Sequence, residues 1–362
     1  MEQRRNYGID LLRNVLMLFI IIGHLFAHTG IRNELSFLSN KWIFTWALQT
    51  LTVSAVNCFV IITGYYMASG VYCLWKGVKL WFKVLFYSVS IWLVLLLAGN
   101  IKPTWGGVLD AFFPILRKEY WFFTMYILLH LLIPFLNEAL KNMSKEKLGC
   151  LVVVIVCVFY IEPIFSAVFY QYDETEGFSI IGFFTLYIIG AYLAQCQDIN
   201  IMRCAMLLVG SSGFVFFSKI VLQAFVIYSK VDIGTGLLYH NNSVFVLVNA
   251  IALFLLFKQI DVQPLLKKIT NWCTPSVFAV YLVHEKPIMR SLLWNQRILI
   301  YLENCGFVSY IVTTVGISIG IFVIAVFIDK FVVNIILGKI YKSPIMVKIR
   351  TICEQYSRYI GE

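Results

Sequence analysis

The chain has 362 residues, 60% of them hydrophobic and only 13% charged, with a mean hydropathy of +0.82. So little polar surface cannot clothe so much apolar side chain in water, which excludes a soluble globular domain. The apolar runs are continuous rather than alternating, which excludes a membrane β-barrel and leaves an all-α, polytopic integral membrane protein. The net charge of +10 would suggest nucleic acid in a soluble protein. Here it reads as cytoplasmic loops rich in Lys and Arg, with no nucleic-acid partner.

The first apolar segment, Ile9 to His28, follows MEQRR and imitates a signal peptide. It is too long for a typical hydrophobic region of that kind and contains Arg13, so it reads as a retained first helix. It holds Asp10, Arg13, His24 and His28, and ionisable groups at membrane depth usually mark function. Arg13 and His24 are eleven residues apart, about 16 Å of helical rise and within roughly 20° of one face. A fixed cation suits phosphate, and an imidazole suits proton transfer near neutral pH.

Along the chain, about ten spans are expected, near 9–28, 46–68, 80–98, 120–138, 149–169, 179–195, 203–228, 242–259, 274–296 and 307–335. With both termini cytoplasmic, the inner segments collect Arg4, Arg5, Lys76, Lys79, Lys83, Lys141, Lys145, Lys147, Arg203, Lys258, Lys267, Lys268 and the basic tail. The outer loops then hold fewer cations, and the loop Gln171–Gly177 carries Asp173, Glu174 and Glu176 with no basic residue. Reporter fusions at Lys145 and Lys267 should therefore read inside, and at Glu34, Glu174 and Asp232 outside. The map fails if fusions at 145 and 174 report the same side.

The segment Val71–Lys83 places lysines 76, 79 and 83 on one helical face and reads as an interfacial basic helix leading into the third span. The loop Gly99–Tyr120, with Pro103, Gly106, Gly107 and Pro114, is expected to dip into the membrane or lie on its surface. Residues 1–340 make one transmembrane domain. Residues 341–362 make a short basic cytoplasmic tail on the inner leaflet. The nine cysteines form no CxxC, and most lie in apolar runs, with Cys305 the one candidate in an outer loop. Neither a disulfide framework nor a metal site is expected.

Four stretches together resemble the integral-membrane acyltransferase-3 family. LLRNVLMLFIIIGH carries an Arg, ten residues and a His in the first span. CFVIITGYYM at 58–67, YWFFTMYILLHLLIPFLN at 120–137 and VFAVYLVHEKPIMRSLLW at 277–294 are similar to its later motifs, in the same order, with Thr63 where Ser is usual. The resemblance implies ten membrane helices and transfer of an acyl group, usually acetyl from acetyl-CoA, to a hydroxyl of an exported or lipid-linked glycan at the inner (plasma) membrane. It implies an acyl donor but no permanently bound cofactor. The family's basic pair after its second helix corresponds here to lysines such as Lys79 and Lys83, which are then donor-binding candidates.

Each candidate has a sharp and a plain reading. His24 is a general base or an interhelical hydrogen-bonding group. Arg13 binds the donor phosphates or snorkels to headgroups, and Asp10 assists it or only pairs with it. His28 lines the acceptor's route or merely sits at the outer interface. His284, Glu285, Lys286 and Arg290 around Pro287 line an acceptor cavity, with Glu285 orienting an imidazole or binding sugar hydroxyls, or form an internal salt-bridge network. Lys219 is a further cavity candidate. Tyr120, Trp121 and Tyr126 stack on a sugar or belong to an interfacial aromatic belt. The rival from another class is a transporter or flippase, which paired broken helices in matching halves would favour.

Overall fold

The computed structural model describes residues 5–169, 177–196, 200–231 and 234–361. Every element among them is helical. Asp173, Glu174 and Glu176 of the acidic loop, and Arg4, lie outside the described residues. Among the described residues seven helices are long and apolar enough to cross a membrane: Tyr7–His28, Asn40–Met67, Leu74–Leu97, Trp121–Lys141, Lys145–Phe165, Ile201–Ser229 and Phe307–Ile340. Ile180–Ala194 and Val244–Lys258 are apolar but shorter.

The first helix is the axle of the bundle. Asn6 caps it by accepting the Ile9 N–H, satisfying one of the orphan donors of the first turn. Its Ile9, Leu12 and Leu16 belong to one buried cluster, and its Met17, Ile21, Leu25 and Phe26 to another. It packs against the helices Asn40–Thr52, Ala55–Met67, Val244–Lys258, Pro264–Cys273, Val277–Glu285 and Phe307–Ile328. About half of its most apolar stretch is buried (56%), against 17% for Ile201–Ser229, which is peripheral. Polar groups on the first helix therefore face protein, as the cost of exposing them to lipid requires.

Ala55–Met67 and Ile180–Ala194 cross at van der Waals distance because both carry glycine at the crossing. A Cβ on Gly64 would stand 2.2 Å from the Tyr187 carbonyl oxygen, and one on Gly190 would stand 2.3 Å from that of Ile61. Small residues at helix crossings are how membrane helices gain close packing without a hydrophobic drive.

Two expected spans, the second and the ninth, are interrupted beside the site. The second bends at Val53–Ser54, between Asn40–Thr52 and Ala55–Met67. The hydroxyls of Thr50, Thr52 and Ser54 bond back to the carbonyls of Ala47, Gln49 and Leu51, which competes with the helical ladder. The buried Asn249 amide donates to the Thr50 carbonyl across the bend. The ninth expected span, 274–296, is not one helix. It is a 3₁₀ turn Thr274–Ser276, a helix Val277–Glu285 and a short helix Pro287–Leu293. Lys286 has φ −56° and ψ 130°. That is the extended backbone which a residue before proline tends to adopt, and Pro287 has no N–H to continue the ladder.

The basic segment runs into the third span without a break, as the one helix Leu74–Leu97. The loop 99–120 contains a helix, Trp105–Phe112, laid along Leu74–Leu97, with Ser88 Oγ donating to the Asp110 carbonyl. The tail forms a helix Pro344–Gly361 against the start of Leu74–Leu97. Met346 and Cys353 pack on Trp75, and Ser357 Oγ accepts the Leu74 N–H.

Candidate active site

The break at Lys286 fixes the site. Glu285 is the last residue of its helix, 2% exposed, and His284 beside it is fully buried. Lys286 is pulled the other way. Its ammonium donates to Ser88 Oγ at 2.7 Å and lies 3.6 Å from Glu119. Tyr120, also fully buried, donates its hydroxyl to the Leu282 carbonyl. The free end of the broken helix is thus held by Tyr120 and Lys286, while Glu285 turns toward the first helix.

His24 Nδ1 lies 3.1 Å from His284 Nε2 and 3.0 Å from Glu285 Oε2. The tautomers follow from the partners. His284 Nδ1 sits 2.6 Å from the Val280 carbonyl. A carbonyl only accepts, so Nδ1 carries a proton and Nε2 of the neutral ring is bare. His24 Nδ1 therefore faces two acceptors and must carry a proton itself. That leaves His24 Nε2 with a free lone pair. The arrangement is the one in which a carboxylate beside one ring nitrogen stabilises the charge that the ring gains when its other nitrogen takes a proton. Glu285 Oε2 has no aligned hydrogen bond of its own among the described residues, so it acts on His24 through charge. His28 Nε2 stands 3.7 Å from the same oxygen, and Arg290 Nη1 3.7 Å from Glu285 Oε1. His28 thus has a place at the site that an interfacial position alone did not suggest.

His24 Nδ1, His284 Nε2 and Glu285 Oε2 lie within 4.8 Å of one another, and all three are of the types that bind zinc. The sequence showed no such donor set, because the two histidines are 260 positions apart.

Two cavities meet at His24. One, of about 270 Å³, runs from Arg13 past Met17, Ile20 and Phe59 to His24, and is lined mainly by apolar and aromatic side chains. The other, of about 480 Å³, lies beyond His24 and is more polar, with His28, Arg32, Gln49, Asn241, Glu285 and Arg290 in its wall. His24, Ile20, Val56 and Trp121 line both. Arg13 gives one N–H to Asp10 at 2.7 Å and lies over the Tyr66 ring at 5.5 Å. Asp10 is also held by Arg5 at 2.6 Å, so two guanidiniums share one carboxylate at that end of the bundle. The sequence marked Arg5 only as a loop cation.

The structure brings Arg13, His24, His28, Glu285, Arg290, Trp121 and Tyr126 to the cavities. Tyr120 and His284 are walled in behind the site and line neither cavity. Lys83, expected at the donor, is spent on Asp329 at 2.7 Å, a fully buried carboxylate that also accepts from Tyr87 at 2.9 Å and Asn334 at 3.1 Å. A buried carboxylate cannot lose its counter-charge without a large penalty, so this lysine ties two helices rather than receiving phosphate. Lys79 is half-buried and likewise outside both cavities.

The bundle thus sets an imidazole beside a carboxylate in a wall that two cavities share. The family comparison gives the class. The acyltransferase-3 model, described as an acyltransferase domain, matches residues 6–328, and the chain belongs to that family. It is a membrane acyltransferase. No curated protein and no solved structure matches the chain.

Proposed function

We propose that the protein transfers acetyl from acetyl-CoA to a hydroxyl of a surface or lipid-linked polysaccharide at the plasma membrane. The observation that carries this reading is His24 standing in the wall shared by the two cavities. The cavity with Arg13 takes the donor from the cytoplasmic side, with Arg13, and Arg5 beside it, holding phosphate, and Lys79 and Lys83 play no part. The narrow apolar course from Arg13 to His24 suits the extended arm that carries the thioester, whose reach is comparable with the helical rise of about 16 Å between them. The second cavity takes the acceptor from outside, with Trp121 at the junction.

The chemistry is a single displacement at carbonyl carbon. His24 Nε2 takes the proton of the acceptor hydroxyl as that oxygen attacks the thioester carbonyl. The carbon–sulfur bond breaks, an ester forms, and the proton on Nε2 passes to the departing sulfur as CoA thiol. Glu285 stabilises the imidazolium between the two transfers.

A carrier is the weaker reading. The family model that matches residues 6–328 is an acyltransferase domain. The test uses purified protein in lipid nanodiscs with acetyl-CoA labelled in the acetyl group. Release of CoA thiol with the label moved to added surface glycan, or to water when glycan is omitted, is expected. Acetyl-CoA left intact in both arms, with the protein folded and Arg13-dependent donor binding absent, overturns the proposal.

A further inference from the structure

Arg290 and Lys219 stand at the acceptor-side cavity without a hydrogen-bonded carboxylate among the described residues. Arg290 lines it, and its Nε is buried without a hydrogen-bond partner among the described residues. Its Nη1 is 3.7 Å from Glu285 Oε1. That separation is beyond hydrogen-bond length. Lys219 lies behind the wall, 4% exposed. Its ammonium sits 3.9 Å from the centre of the Trp46 ring, which lines the cavity, and donates to Thr235 Oγ1 at 2.8 Å. Neither of those partners carries a negative charge. Among the described lining residues Glu285 is the one carboxylate, and its charge is already shared by His24, His28 and Arg290.

Burying Lys219 with neutral partners costs free energy that neither the ring nor the hydroxyl fully returns. Cations held at low-dielectric walls focus their field on whatever enters the cleft. Resting on the acyltransferase reading, we infer that the acceptor carries an anionic group, a sugar carboxylate or a phosphate, on or within two sugar residues of the hydroxyl that is acylated. The guanidinium of Arg290 presents a planar fork that matches either oxyanion. Trp46, Trp121 and Tyr239 offer flat faces for the apolar edge of the sugar ring, and Gln49 and Asn241 offer neutral hydrogen bonds. The negative group binds between Arg290 and the Trp46–Lys219 wall, while the reacting hydroxyl reaches His24.

The experiment deletes the gene in its own cell and compares the extracted surface and lipid-linked glycans by NMR. The strain is then complemented with wild-type protein, Lys219→Met and Lys219→Arg at matched membrane abundance. The acyl group lost on deletion is expected on, or within two sugars of, an acidic residue. The carbon spectrum identifies a carboxylate and the phosphorus spectrum a phosphate. Lys219→Met should lower acylation of that glycan at least about tenfold, in line with the rate gain of charge-focused clefts, and Lys219→Arg should restore most of it. An acyl group on a neutral glycan overturns this inference and leaves the acyltransferase reading standing. No acyl group lost from any glycan overturns both. Wild-type acylation by Lys219→Met overturns the cationic-cavity argument.

Discussion

His24→Ala should lower acetyl transfer by about 10²–10⁴-fold, the usual contribution of a positioned general base, while acetyl-CoA binding stays near wild type. The substitution removes the bare Nε2 and leaves Arg13, at the other end of the donor cavity, untouched. His28→Ala is the control. Its ring centroid is 5.1 Å from that of His24, and its Nε2 stands 3.7 Å from Glu285, so it shares the surroundings without the central position. It should cost much less. Glu285→Gln keeps the shape and removes the charge beside Nδ1, so it should slow transfer as well. The decisive comparison is transfer by the two His→Ala proteins at matched donor binding. Near-normal transfer by His24→Ala removes the general-base assignment and the reason for placing the active site on the first helix.

Arg13→Ala should weaken acetyl-CoA binding strongly, and Arg13→Lys should restore only part of it, because lysine lacks the planar fork. Charge-assisted hydrogen bonds to phosphate are worth about 1.5–3 kcal/mol each, so losing one or two corresponds to roughly a tenfold to ten-thousandfold rise in Kd. The fold should survive, since alanine suits a helix and Asp10 keeps Arg5 as its partner at 2.6 Å. Calorimetry on the folded variant decides the matter. An unchanged donor affinity would leave Arg13 as a residue that reaches the headgroups and nothing more.

The sequence exposed what lies along one helix and hid what lies between helices. Arg13 and His24 share a cavity wall, and their spacing on a single helix was enough to put them on one face. The apolar runs marked the spanning helices for the same reason, since length and hydropathy are local properties. The cluster around Pro287 was visible as an anomaly of charge. That Glu285 turns to the first helix while Lys286 turns to Ser88 depends on a break whose direction only packing sets. Lys83 misleads for the mirror-image reason. Its neighbours in sequence are cations, whereas its partner Asp329 comes from the far end of the chain. The bend at Val53–Ser54 was written in three hydroxyl residues, yet such residues often leave a membrane helix straight, and the Asn249 amide that supports it is distant in sequence.

The position of the first helix at the centre of both cores bears on how the protein is made. Asp10 meets Arg5 and Arg13 within its own segment. These charges therefore enter the bilayer already paired when ribosome and membrane first hand the chain over. His24 has no carboxylate so near to it in sequence. The imidazole of His284 is synthesised 260 positions later, and the Glu285 carboxylate follows directly. At the usual pace of about 5–20 residues per second, that is a delay of at least about ten seconds. The helix that bears His24 is therefore made, and its own charges paired, well before the groups that face its imidazole exist. A nascent chain that stops short of Glu285 has Arg13 and His24 in place without the carboxylate that His24 meets in the folded protein.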